Sequence, residues 1–69
     1  MLIGSRVMCK DNGIKGKVID ETRNTLVLEV AGKRKTLMKS GNRFVVESGG
    51  KTLRIRGNDI RMRPWEYAL

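Results

Sequence analysis

Glycine is the feature that most limits what this chain can become. Eight glycines, at positions 4, 13, 16, 32, 41, 49, 50 and 57, cut its 69 residues into short runs. Helical periodicity is poor throughout, whereas period-two alternation of apolar and polar residues is good. The first run, residues 6–10, sets Val7 and Cys9 on one face, and Asp11-Asn12-Gly13 is a turn signal. A second run covers residues 15–20. Residues 25–30 form the cleanest strand, with Leu26, Leu28 and Val30 on one face. Ala31-Gly32 can close a tight hairpin into residues 33–38, and Ser40-Gly41-Asn42 turns into residues 43–47, with Phe44 and Val46 inward. Gly49-Gly50 is a strong two-residue hairpin signal. It leads to residues 51–56, where Leu53 and Ile55 are expected to face the core and Arg54 and Arg56 to face water. Gly57-Asn58-Asp59 breaks the pattern, and Pro64 argues that the tail from Ile60 to Leu69 is no central strand.

Short runs between regular turns predict an all-β fold of about six strands, each of roughly five residues. Short connections favour neighbouring antiparallel strands. A flat sheet of this size would leave an apolar face open. Curling into a small closed or nearly closed barrel buries that face and removes edges. One domain, residues 1–69, is expected, with no linker, low-complexity segment or internal repeat. So short a chain buries only roughly 60% of the surface its unfolded form exposes, which leaves too little to wall off a large active site.

Charge narrows the function. Fifteen Lys and Arg oppose seven Asp and Glu, a formal +8, and the excess is uneven: +1 over residues 1–29 and +7 over residues 30–69. Such one-sided charge repels itself unless it meets a polyanion. Nucleic acid is the first candidate and an anionic membrane the second. The membrane reading finds neither a basic amphipathic helix nor a spanning apolar run. No signal-peptide pattern opens the chain, so a cytoplasmic location is expected.

Histidine is absent and Cys9 is the only cysteine. No internal disulfide or zinc-ligand set is available, and the commonest general base is missing. Cys9 reads as a buried structural thiol, since a nucleophilic one needs a base beside it. Asp20 and Glu21 are adjacent carboxylates, and a metal-dependent nuclease using Asp20, Glu21 and Glu29 is one possible reading. Successive strand residues diverge, however, and Asp20, Thr22 and Asn24 suit a turn bonded to nearby backbone, with Arg23 at its tip. Gly13-Ile14-Lys15-Gly16 is a G-x-x-G, but a strand follows where a KH domain needs a helix. A glycine pair before Val18 also resembles the KOW signature of ribosomal and elongation proteins. The plain alternative is a turn at one glycine and a bulge or close strand approach at the other.

Lys33, Arg34, Lys35, Lys39 and Arg43 run without an acid between Glu29 and Glu47, and Arg54, Arg56, Arg61 and Arg63 extend the series. Eight of the fifteen basic residues are arginine, whose planar fork bonds two phosphate oxygens at once. The aromatics do not interleave with this run, so backbone and shape recognition is expected to dominate over base stacking. Trp65 and Tyr67 read equally as a stacking or partner anchor and as a tail docked on a barrel edge.

Leu2-Ile3-Gly4, Gly13-Ile14-Lys15-Gly16-Lys17-Val18 and Asp20-Glu21-Thr22-Arg23-Asn24-Thr25-Leu26 together closely resemble the archaeal ribonuclease P protein component 1 family. Lys35-Thr36-Leu37, Phe44 and a late strand ending at Gly57 also fall where that family places them. The resemblance spans essentially the whole chain. Members usually carry a helical extension before the Leu-Ile-Gly, and this chain starts almost at it. The resemblance implies an Sm-like barrel that binds the catalytic RNA of ribonuclease P, which removes the 5′ leader from precursor tRNA. It also implies a zinc-ribbon partner, protein component 4. Catalysis would belong to the RNA with its magnesium, with no cofactor, metal or catalytic residue on the protein. The residues expected to bind RNA are Lys10, Lys15, Lys17, Arg23, Arg34, Lys35, Arg43, Arg54, Arg56, Arg61 and Arg63. A KOW-type RNA-binding module remains the alternative within the same broad class.

Overall fold

The computed structural model describes residues 1–67. Six antiparallel strands form one sheet: β1 (Arg6–Cys9), β2 (Lys15–Glu21), β3 (Thr25–Val30), β4 (Lys33–Met38), β5 (Arg43–Ser48) and β6 (Lys51–Arg56). Two short 3-10 turns follow, at Gly57–Ile60 and Pro64–Glu66. The β3–β4 and β5–β6 hairpins close through two-residue turns in which both residues have positive φ: Ala31 and Gly32, then Gly49 and Gly50. This is the mirror-image turn whose twist matches that of paired strands. Pro64 begins the second 3-10 turn, as its lack of an N–H allows.

The strand order is β4-β3-β2-β1-β5-β6. Four of the five connections join neighbours. The exception, residues 39–42, carries the chain from the β4 edge to the far side of β1. In a flat sheet those strands would lie four spacings, about 19 Å, apart. From Met38 to Arg43 the chain could reach about 17 Å if fully extended. It is not extended, because Gly41 has φ +76° and the Asn42 N–H donates to the Lys39 carbonyl at 3.4 Å. The sheet must therefore curl, and the inner faces of β1 to β5 share one core. Leu2, Val7, Cys9, Val18, Leu26, Leu28, Leu37, Phe44, Val46 and Ile60 are all buried in it. Cys9 is wholly buried, as its alternation predicts.

The curl does not close the hydrogen-bond ladder, whose edges among the described residues are β4 and β6. Leu53 shows the consequence. It lies opposite Val46 on the inner face, but on an edge strand with no neighbour beyond it, so it is 38% exposed rather than in the core. Ile55 is half-buried. Basic residues guard both edges, Lys33, Arg34 and Lys35 on β4 and Lys51, Arg54 and Arg56 on β6, which discourages edge-to-edge association.

Two glycines permit close backbone approach. A Cβ on Gly16 would stand 2.2 Å from the Glu29 carbonyl oxygen, and one on Gly57 would stand 1.6 Å from that of Lys39. The β2 bulge lies elsewhere, between Val18 and Asp20, where the register against β3 shifts. That extra residue reverses the strand's alternation. Asp20 turns outward and Glu21, still in the strand rather than in the expected turn, is buried.

Glu21 ties the fold's ends together. Its Oε1 accepts the Leu2 N–H at 2.8 Å, and its Oε2 accepts from Lys39 Nζ at 2.8 Å and from the Tyr67 hydroxyl. Lys39, expected on the exposed basic run, is wholly buried in this knot and also donates to the Met62 carbonyl at 3.0 Å. Burial works to raise the Glu21 pKa, but hydrogen bonds from Lys39, Tyr67 and the Leu2 N–H outweigh it and hold the carboxyl below the ordinary glutamate range. Burial, reinforced by the Glu21 carboxylate, pushes the Tyr67 phenol well above its usual value.

Candidate nucleic-acid interface

Register decides which basic side chains share a surface, because directly paired residues project from the same face. On the outer face one row runs Lys15, Met8, Val45, Arg54 across β2, β1, β5 and β6. The next runs Arg34, Glu29, Lys17, Arg6, Glu47, Thr52 across all six strands. Beyond the end of β1, Lys10 donates its backbone N–H to the Arg43 carbonyl at 2.8 Å, and Arg43 pairs with Arg56. The outer face of β2, β1, β5 and β6 thus gathers Lys10, Lys15, Lys17, Arg43, Arg54 and Arg56, with Arg6 among them.

Like charges stand directly opposite each other there, Arg6 against Lys17 and Arg43 against Arg56. Such pairs destabilise a sheet by a few tenths of a kcal/mol or more. Carboxylates flank both pairs: Glu29 and Glu47 stand beside Lys17 and Arg6 in the same row, and Asp11 and Asp59 reach Arg43 and Arg56. Asp11 accepts the Arg43 N–H at 2.7 Å and its Nη2 at 3.2 Å, and Asp59 accepts Arg56 Nε at 3.2 Å. The Arg43 backbone N–H, then its side chain, hold the Asp11 carboxyl below its ordinary range. Both guanidinium groups remain mostly exposed and able to take a second anionic partner. Besides a depression of about 270 Å³ at the β5–β6 turn, between Arg6, Glu47, Lys51 and Thr52, two shallow depressions mark the face. One, of about 310 Å³, lies over β1 between Arg6, Met8, Lys15, Val45 and Glu47. The other, of about 220 Å³, lies between Lys10, Arg43, Phe44, Arg54, Ile55 and Arg56.

The remaining predicted residues lie apart. Arg34 is at the far end of the mixed row, opposite Glu29. Lys35 is opposite Leu28 and so belongs to the inner face of β4, exposed only because β4 is an edge. Arg23 occupies the β2–β3 turn, and Arg61 and Arg63 flank Met62 near the Glu21 knot. Arg6 was not among the expected residues, although its alternation with buried Val7 and Cys9 already points it outward. Among the described residues no group of three or more His, Cys, Asp or Glu is placed to hold a metal ion.

Comparison with known sequences decides the family. The sequence model of the ribonuclease P/MRP subunit p29 family matches residues 5–68, almost the whole chain. The chain belongs to that family. It is similar to ribonuclease P protein component 1 of Archaeoglobus fulgidus, with 46% identity over 52 residues, 75% of this chain and 51% of the relative. The Methanocaldococcus jannaschii protein of the same name is 42% identical over 55 residues, 78% of this chain and 58% of its own length. That of Desulfurococcus amylolyticus is 40% identical over 57 residues, 78% of this chain and 61% of the relative. The chain therefore spans about half to three-fifths of the relatives it matches. Membership of the p29 family agrees with the resemblance carried by the Gly-x-x-Gly-x-Val and Asp-Glu-Thr-x-Asn-Thr-Leu motifs.

Proposed function

We propose that this chain is an RNA-binding protein subunit of ribonuclease P, supporting the catalytic RNA in removing the 5′ leader from precursor tRNA. One observation carries the proposal: in a member of this family, the outer sheet face collects basic side chains and sets like charges directly opposite one another. A polyanion relieves that repulsion, and phosphates are the ligands a planar guanidinium fork suits best. Lys10, Lys15, Lys17, Arg43, Arg54 and Arg56, joined by Arg6, make the principal surface. Arg34, Lys35, Arg23, Arg61 and Arg63 give secondary contacts around its rim and at the far end. The partners are the ribonuclease P RNA, precursor tRNA within the complex, and the zinc-ribbon protein component 4. Magnesium serves the RNA.

The metal-nuclease reading loses support from the carboxylates themselves. Asp20 and Glu21 point to opposite sides of β2, and both Glu21 oxygens are engaged by Leu2, Lys39 and Tyr67. Glu29 stands alone on the outer face between Lys17 and Arg34. The test is incubation of the purified protein with precursor tRNA and magnesium, with and without the cognate ribonuclease P RNA. Leader removal should require the RNA, and the protein should lower the magnesium the RNA needs. Specific leader removal by the protein alone, lost in Asp20→Asn, would overturn the proposal.

A further inference from the structure

The two tail aromatics, which look alike in the sequence, are treated oppositely by the fold. Tyr67 is half-buried, with its hydroxyl on Glu21 and the Lys39 ammonium 5.4 Å from its ring centroid. Trp65 is 75% exposed, the most exposed large apolar side chain among the described residues. Tryptophan is strongly buried on average, and this indole is bare. Its backbone is held on both sides. Upstream, Ile60 sits in the core and the Met62 carbonyl accepts from buried Lys39. Pro64 is buried, and the Glu66 N–H donates to the Arg63 carbonyl at 2.9 Å while the Glu66 carboxylate accepts the Arg63 N–H at 3.3 Å. Downstream, Tyr67 is anchored. The ring is therefore presented from a fixed support.

The surroundings are cationic. The Arg63 guanidinium lies 5.7 Å from the indole centroid. Arg61 is exposed beside it in sequence, and Arg23 is exposed in the turn that follows Glu21, the residue to which Tyr67 is bonded. The nearest acid in sequence, Glu66, is engaged in closing the 3-10 turn. An exposed indole with a guanidinium over its ring and further arginines around it has the composition of a nucleobase stacking platform with phosphate contacts at its rim.

We infer that Trp65 is a stacking platform for an unpaired RNA base, with Arg61 and Arg63 holding the adjoining phosphates. This rests on the RNA-binding reading and adds a second, base-contacting site at the end of the sheet carrying the Glu21 knot. An acidic or apolar protein segment is the rival occupant, and the cationic rim favours RNA over the apolar one.

Trp65 is the sole tryptophan, so its fluorescence reports this site alone. The protein is titrated with a short single-stranded oligouridylate, with a blunt RNA duplex and with the ribonuclease P RNA, following fluorescence and, separately, retention of labelled RNA on filters. The oligouridylate and the ribonuclease P RNA should quench the indole, and the duplex should leave it bright. Trp65→Ala should weaken oligouridylate binding by roughly 5- to 150-fold, while Trp65→Phe retains most of the affinity. Retention of RNA with unchanged fluorescence and unchanged Trp65→Ala affinity would overturn the platform and leave the outer-face reading standing. Failure to retain any RNA would overturn both. An indole left bright by RNA and shielded from acrylamide only when protein component 4 is added would assign Trp65 to the protein partner and overturn the inference. Should Trp65→Ala unfold, the wild-type fluorescence alone decides.

Discussion

At the scale of single residues, the fold leans on groups that look ordinary in the sequence. Lys39 is buried against Glu21, so removing either partner strands a charge away from water. Breaking such a pair costs about 3–5 kcal/mol, against a total of about 3–10 kcal/mol for a chain of 69 residues. Glu21→Gln should therefore unfold in far less denaturant than the wild type, and Glu21→Gln with Lys39→Met should recover much of the loss. An unchanged urea midpoint for Glu21→Gln would contradict this. The pair also sets an acid limit. The folded Glu21 pKa lies below the ordinary glutamate value of about 4.5, so its contribution is complete above that pH. It declines as pH falls from about 4.5 through the lower folded value, because the unfolded chain then binds the proton more readily. Melting temperature against pH should fall in that window, and the slope should flatten in the double variant. Two backbone substitutions should move stability in opposite directions. Gly16→Val must displace the Glu29 carbonyl and should cost several kcal/mol or the fold itself. Ala31 has φ +50°, where a side chain costs roughly 1–2 kcal/mol, so Ala31→Gly should raise the melting temperature slightly.

At the scale of elements, the strands were legible because glycine turns and alternation fall in step, and the observed bounds differ from the expected runs by a residue at most. The β2 bulge was not legible. Nothing in Val18-Ile19-Asp20 distinguishes a bulged strand from a regular one, and a one-residue insertion exchanges the two faces. Counting on from Val18 puts Asp20 inside and Glu21 outside, the reverse of what the fold does. Lys39 was hidden for the related reason that its partner lies 18 positions away and carries no local mark. Leu53 misled because alternation specifies a face and says nothing of whether the strand is an edge. The basic surface was legible in charge but not in membership, since only the register puts Lys15 in line with Arg54, while Lys35 shares the inner face of β4 with Leu37. That register yields a prediction. Arg54→Gln with Arg56→Gln should weaken RNA binding while leaving the melting temperature unchanged or raised, because it removes the Arg43–Arg56 opposition and only an exposed ion pair to Asp59 is lost. A markedly lower melting temperature in that variant would show that these arginines serve the fold.

At the scale of the whole molecule, the curled sheet separates two tasks. Its inner face spends the chain's few large apolar residues on a core. Among the described residues the only buried charges, Lys39 and Glu21, cancel, so the full +8 lies at the surface, much of it on the outer face. A compact body so charged binds a polyanion largely by releasing counterions, and the salt dependence of that binding counts the phosphates it neutralises. The most direct test of an outer face built for RNA is the affinity for ribonuclease P RNA measured over a series of salt concentrations. With four or more phosphates contacted, log K should fall against log salt with a slope of about −3 or steeper, at roughly −0.7 per contact on single strands. The slope should become shallower when Lys15, Arg54 and Arg56 are neutralised together. An affinity indifferent to salt, or a slope that those substitutions leave unchanged, would contradict the assignment of this face to RNA.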